Sequence, residues 1–200
     1  YAVHQIILAA AAMVLCIFVP LIIEKFRILE KMGWYFAAIG IVFLMLVFVI
    51  GVEKYGSRNW ISVGGIAIQP SEFVKILYVF FMASLLCTKV DFRKVVMATI
   101  VAVIHVGILV LSRDLGSAVI FFVTYLVLIY VATRNPGYML LGLGGGCVGA
   151  VVAYHLFGHV RQRVSAWRDP MAVYQNEGYQ IVQSLFAIGT GGWFGMGLCQ

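Results

Sequence analysis

Six times between Gln5 and Phe157 the chain runs through a long apolar stretch and breaks off at a polar one. The stretches are Gln5–Ile23, Met32–Val52, Pro70–Cys87, Val95–Ser112, Leu115–Thr133 and Tyr138–Phe157. Each is close to the ~20 residues, roughly 17–25, that a helix needs to cross a bilayer. Lipid offers no water to the backbone, so a spanning segment must satisfy its own N–H and C=O groups as a helix. The pattern predicts an all-α fold, a polytopic transmembrane helix bundle. It has about six complete spans plus the start of a seventh near Tyr179. Residues 1–200 are expected to form one transmembrane domain, with 158–178 as a polar loop outside the membrane. The chain opens on Tyr1 and stops at Gln200 inside a glycine-rich stretch, so a fragment of a longer polytopic protein is expected.

Composition agrees. Only 11% of the residues are charged, against about 25% in soluble domains. The net charge of +6 does not imply a nucleic-acid partner, because no soluble element carries a basic face with interleaved aromatics. In a membrane protein, basic residues mark cytoplasmic loops and headgroup contacts. The short breaks Glu24–Lys31 and Thr88–Lys94 hold three basic residues each, and Arg134–Gly137 adds one. These are expected to face the cytoplasm. The Glu53–Gln69 loop, the Arg113–Asp114 corner and everything after Gly158 then share the opposite face, where most of the residues suited to chemistry lie.

Several functions are not supported. Cys16, Cys87, Cys147 and Cys199 lie far apart with no CxxC spacing, and read as apolar packing residues. His155 and His159 have i,i+4 spacing, but Gly158 falls between them and no third ligand is near, so no metal site is expected. The glycines of 189–197 lack the Gly-Lys-Ser/Thr of a phosphate-binding loop. Gly142/Gly146 and Gly145/Gly149 suit close helix packing. His105, mid-span, reads as a satisfied buried donor.

The polar residues that remain have structural and chemical readings. In Gln69-Pro70-Ser71-Glu72-Phe73-Val74-Lys75 the proline fits the first helical position, and Gln69 or Ser71 could cap the helix. Glu72 favours the positive helix N-terminus. Lys75 either faces a polar cavity or pairs with Glu72 at i,i+3 and snorkels. Asp114 suits a helix N-cap beside Arg113. Arg161, Arg163 and Arg168 form a basic cluster suited to phosphate, or to headgroups. Asp169-Pro170 looks like an N-cap followed by the first residue of a short helix. Trp167 and Tyr174 suit the interface. Gln180, Gln183 and Ser184 would need partners at membrane depth and make sense lining a cavity.

"GSRNWISVGGIAIQPSEFVK", "RDLGSA" and "GYQIVQSLFAIGTGGWFGMG", in this order and spacing, resemble the SEDS family of shape, elongation, division and sporulation proteins, of the FtsW/RodA/SpoVE type. The resemblance covers nearly the whole chain. It implies a multi-pass protein of the bacterial cytoplasmic membrane, in which the six stretches are the second to seventh spans. It also implies a peptidoglycan glycosyltransferase that joins lipid II outside that membrane, beside a class B penicillin-binding protein. A sugar hydroxyl of one lipid II would attack the anomeric carbon of another, and undecaprenyl diphosphate would leave. Such a transfer needs a general base, commonly a carboxylate. It also needs positive charge at the diphosphate from Arg, Lys or a divalent cation, Mg or Mn.

Carried over residue by residue, the resemblance assigns Arg58, Gln69, Ser71, Glu72, Lys75, Asp114, Gln180 and Gln183 to a substrate cavity. Arg161 and Arg163 join them from the basic cluster. Two positions depart from the pattern. The family's catalytic Asp stands five residues before the Gly of Gly-Tyr-Gln, where this chain has Val173, and its usual Pro before Asp-Leu-Gly is Arg113 here. The expected base is therefore Asp169, with Glu177 second. Asp169 would serve if 171–175 were helical, one turn behind Val173 on a shared face, ~6 Å of rise away. The alternatives are a non-catalytic scaffold of the division or elongation machinery, which the missing Asp favours, and a lipid II transporter using Lys75.

Overall fold

A computed structural model describes residues 2–26, 28–54, 57–63, 66–175, 178–193 and 195. Helices form where the apolar stretches lie: α1 (Ala2–Phe26), α2 (Ile28–Ile50), α3 (Pro70–Leu86), α4 (Phe92–Leu111), α5 (Leu115–Thr133) and α6 (Pro136–Leu156). Among the described residues, α4, α5 and α6 are each long and apolar enough to cross a membrane, and α1 and α2 hold shorter apolar stretches. The helix α1 continues past Pro20 to Phe26. Two shorter helices follow, α7 (Gly158–Arg168) and α8 (Tyr179–Gly191). The chain divides into two compact units, Arg27–Gly149, and Tyr1–Phe26 with Ala150–Gln200.

The core of the Arg27–Gly149 unit lies among α2, α3, α4 and α5. Val74, Tyr78, Phe81 and Met82 of α3 meet Ala98, Val101 and Leu109 of α4 and Phe121, Tyr125 and Ile129 of α5, all buried. Between helices in lipid, close packing and hydrogen bonds hold the bundle, so small residues sit at the contacts. A Cβ on Gly40 would come within 3.1 Å of both His105 Nε2 and Val74. Thr99 Oγ1 and Tyr125 Oη lie 2.7 Å apart, tying α4 to α5. His105 Nδ1 donates to the Val101 carbonyl at 2.9 Å, whereas its Nε2 is buried with no partner among the described residues. The expected satisfied histidine is thus half satisfied. Of the two glycine pairs, only Gly142 and Gly146 face α5: a Cβ on Gly142 would meet Leu126 at 2.6 Å, and one on Gly146 would enter the Phe122 ring. Gly145 and Gly149 have open space.

The 52–69 connection is more ordered than a loop. It holds three antiparallel strands, β1 (Val52–Lys54), β2 (Ser57–Val63) and β3 (Ile66–Ile68), in the order β1-β2-β3. Val52 pairs with Trp60, and Ile61, Ser62 and Val63 pair with Ile68, Ala67 and Ile66. The all-α bundle therefore carries a small sheet at one end of α2 and α3.

The α4–α5 corner is a tight one. Arg113 N–H donates to the Val110 carbonyl at 3.1 Å and Asp114 N–H to the Leu109 carbonyl at 2.9 Å. Arg113 takes a left-handed φ of 61°. These are the two bonds and the αL residue of a Schellman motif, in the position that glycine usually fills. The residue straight after it, Asp114, is already the N-cap of α5.

In the other unit, the helix expected to open at Asp169-Pro170 does not form. Asp169 instead closes α7, its N–H donating to the Ser165 carbonyl at 2.9 Å, and 170–175 is a run of turns. The cause is Pro170, which has no N–H to continue α7 and pushes the residue before it out of the helical region. Asp169 has φ −141 and ψ 81. The turns close on Gly178, whose N–H donates to the Val173 carbonyl at 3.0 Å. A Cβ on Gly178 would collide with the Pro170 carbonyl oxygen.

Candidate active site

In the Arg27–Gly149 unit, three expected residues converge. Asp114 Oδ2 accepts from Asn59 Nδ2 at 2.8 Å, from Gln69 Nε2 at 3.1 Å and from Ser71 Oγ at 3.3 Å. Its Oδ1 accepts the Ser117 N–H at 3.1 Å. Ser117 Oγ reaches Ser71 Oγ at 3.4 Å. The carboxylate is 7% exposed. It fastens β2, the start of α3 and the start of α5 to one point. The N-cap role expected of Asp114 holds. The capping expected of Gln69 or Ser71 does not: Gln69 is the N-cap of α3 without a side-chain bond there, and the Gln69 amide and Ser71 hydroxyl are turned to Asp114 instead.

Lys75 Nζ pairs with Glu72 at 2.8 Å, the pairing alternative of the sequence reading. It also borders an apolar groove of about 350 Å³ between α3 and α5, with Tyr78 and Phe121 among its walls. Arg58 lies on β2, but its side chain is outside the described residues.

The remaining expected residues lie in the other unit. Arg161 and Arg163 are exposed on α7. Asp169 is exposed, and its Oδ1 accepts the Ala172 N–H at 3.2 Å. Because 170–175 is not helical, Asp169 does not sit one helical turn behind Val173 on a shared face. Gln183 Nε2 donates to Tyr174 Oη at 3.3 Å, and the Tyr174 and Tyr179 rings lie 5.9 Å apart. The turns are thereby latched to the first turns of α8. Gln180 is exposed on α8. Glu177 lies outside the described residues. His155 and His159 are each packed against a neighbouring aromatic, Tyr154 and Phe157. Among the described residues no three His, Cys, Asp or Glu side chains are grouped to hold a metal.

Residues 1–200 match the family of cell cycle proteins that comprises FtsW, RodA and SpoVE. The chain belongs to this family. It is 36% identical over 195 residues to the peptidoglycan glycosyltransferase RodA of Mycobacterium bovis, covering 88% of this chain and 42% of that protein. It is 37% identical over 173 residues to the stage V sporulation protein E of Bacillus subtilis, covering 80% and 46%. A solved chain from work on structural coordination of polymerization and crosslinking by a peptidoglycan synthase complex is 27% identical, with a TM-score of 0.64. That match covers 92% of this chain and 56% of the other. The rod shape determining protein RodA of Thermus thermophilus, 23% identical, shares the fold with a TM-score of 0.54 over 70% of this chain and 48% of that one. The chain thus spans a little under half the length of the curated relatives it matches.

Within the family frame, two members of the Asp114 cluster escaped the residue-by-residue assignment. Asn59 and Ser117 both stand inside the stretches that carry the resemblance, "SRNWIS" and "RDLGSA". Ser117 was legible, since an N-cap Asp accepts from the third residue of its helix. Asn59 was not: 55 residues separate it from Asp114, and only the sheet brings it there.

Proposed function

We propose that this chain is the membrane core of a peptidoglycan glycosyltransferase that polymerises lipid II into glycan strands, working beside a class B penicillin-binding protein. The observation that carries the reading is the match along 88% of the chain to a relative named peptidoglycan glycosyltransferase. In this reading Asp169 is the general base. Its Oδ1 is held by the Ala172 N–H, and its other oxygen accepts no hydrogen bond from the described residues. That oxygen takes the proton from the acceptor sugar hydroxyl as the hydroxyl oxygen attacks the anomeric carbon. The bond from that carbon to the diphosphate breaks, and undecaprenyl diphosphate departs. Arg161 and Arg163, on the helix that Asp169 closes, supply positive charge to the leaving group. A divalent cation, Mg or Mn, would add positive charge at the diphosphate; among the described residues no three His, Cys, Asp or Glu side chains are grouped to hold one. The Asp114 cluster, with Gln69 and Ser71, holds the starts of α3 and α5 together, one turn from Glu72 and Lys75 on α3.

The test uses the full-length protein with its penicillin-binding partner and labelled lipid II. Asp169→Asn should lower strand synthesis by about 10²–10⁴-fold, the usual worth of a general base. Glu177→Gln should matter less. Strands that survive both substitutions would remove the assignment of the base. Val173 at the family's acid position favours a second reading, a non-catalytic scaffold of the same machinery. That reading is adopted if wild type makes no strands with partner and divalent ions present.

A further inference from the structure

We infer that α7 is an interfacial helix that lies along the bilayer surface and binds the phosphates of anionic phospholipids. The chain itself places it at the surface. One residue, Phe157, separates it from Leu156, the last residue of the span α6. A single residue reaches about 3.5 Å at most, so α7 starts where α6 leaves the hydrocarbon.

The sequence of α7 then fixes how it can lie. At 3.6 residues per turn, Val160, Val164 and Trp167 fall on one stripe. Val164 is 41% exposed and Trp167 77% exposed. Arg163 flanks the stripe on one side, and Arg161 and Arg168 flank it on the other. Ala166, off the stripe, is buried at 1% and Val160 is half-buried, so the helix touches protein there while Val164 and Trp167 stay open. An apolar stripe between arginines is the arrangement of a helix lying in the headgroup layer. The indole and valines enter the upper acyl chains, and the guanidiniums stay level with the phosphates, which they bind in bidentate fashion. Arg161, Arg163 and Arg168 make no ion pair among the described residues, and Arg168, which has no part in the proposed transfer, keeps its charge for the lipid. An acidic protein surface would also suit the arginines. It would leave Val160, Val164 and Trp167 without an apolar partner, and the bilayer supplies both.

The experiment reads Trp167 in the full-length protein, reconstituted in phosphatidylcholine vesicles with or without phosphatidylglycerol. The Trp167 signal is the difference between the protein and its Trp167→Phe variant, because Trp34, Trp60 and Trp193 also emit. Lipids brominated high on the acyl chain should quench it more than lipids brominated near the chain end. Brominated phosphatidylglycerol should quench it more than brominated phosphatidylcholine. Arg168→Gln should reduce that lipid preference about fivefold, as expected for one arginine at an anionic surface, and high salt should reduce it further. Equal quenching by the two lipids, unchanged by Arg168→Gln, would overturn the phosphate assignment. No quenching by either lipid would overturn the interfacial placement and point to a protein partner over the stripe. None of these readouts depends on glycan synthesis, so the inference stands or falls apart from the proposed activity.

Discussion

Asp114 shows how much one buried side chain can carry. Removing it as Asp114→Ala strands the Asn59 and Gln69 amides and the Ser117 N–H, each a buried or half-buried donor. An unsatisfied buried group costs about 1–3 kcal/mol, so a loss of about 3–6 kcal/mol is expected, read as a large fall in detergent melting temperature. Lys75 and Glu72 predict the opposite. Their pair is partly exposed, with Glu72 56% exposed, and such pairs contribute about 0–1 kcal/mol. Glu72→Gln should leave the melting temperature almost unchanged, so any loss of strand synthesis in that variant reports chemistry. Gly178→Ala tests the latch. Its φ of −78° suits alanine, but the new Cβ would meet the Pro170 carbonyl, which is backbone and cannot swing away. Hydrogen exchange across 169–178 should quicken, with little change elsewhere.

At the scale of elements, the α4–α5 corner makes a sharp prediction. Arg113→Pro installs the residue that the family pattern would put there, yet proline has no N–H for Val110 and cannot take a φ of 61°. The variant should lose about 3 kcal/mol or more and misplace Asp114 with it. The helix α6 offers a paired comparison. Gly146→Ala drives a methyl into the Phe122 ring, while Gly145→Ala meets open space. The first should destabilise by about 1–3 kcal/mol, and the second should stabilise by up to about 1 kcal/mol through helix propensity. Thermal unfolding of the two variants side by side checks both signs. The elements themselves were largely legible. Apolar length announces a span, because the bilayer enforces it. The sheet was missed because polar Ser57, Arg58 and Asn59 masked its alternation, although Gly64-Gly65 between Val63 and Ile66 is the kind of signal that marks a hairpin. The Asp169-Pro170 boundary was seen but read in the wrong direction, as a helix opening. Proline can open a helix and can also end one, and the residues before it decided which.

For the whole molecule, stability and chemistry are expected to separate. The Asp114 cluster belongs to the Arg27–Gly149 unit, and Asp169 belongs to the other. Asp169→Asn should lower strand synthesis by about 10²–10⁴-fold and leave the melting temperature alone, since its side chain is exposed and holds one turn. Asp114→Ala should lower the melting temperature first and lose synthesis only as the fold loosens. A matched set of melting curves and strand assays on the two variants would expose any crossing of those roles. Sequence placed Gln69, Ser71 and Asp114 at helix starts but not in contact with one another, because a hydrogen bond across 43 to 55 residues leaves no local trace.

That long reach also sets an order in time. Asn59 leaves the ribosome 55 residues ahead of Asp114. At about 5–20 residues per second, the interval is about 3–11 seconds. Until α5 is threaded, the amides of Asn59 and Gln69 lack their carboxylate acceptor, and β2 lacks its tie to α5. Asp114 is therefore the last piece of a clasp whose other half has been waiting, and this end of the bundle can close only once its fifth helix is in place.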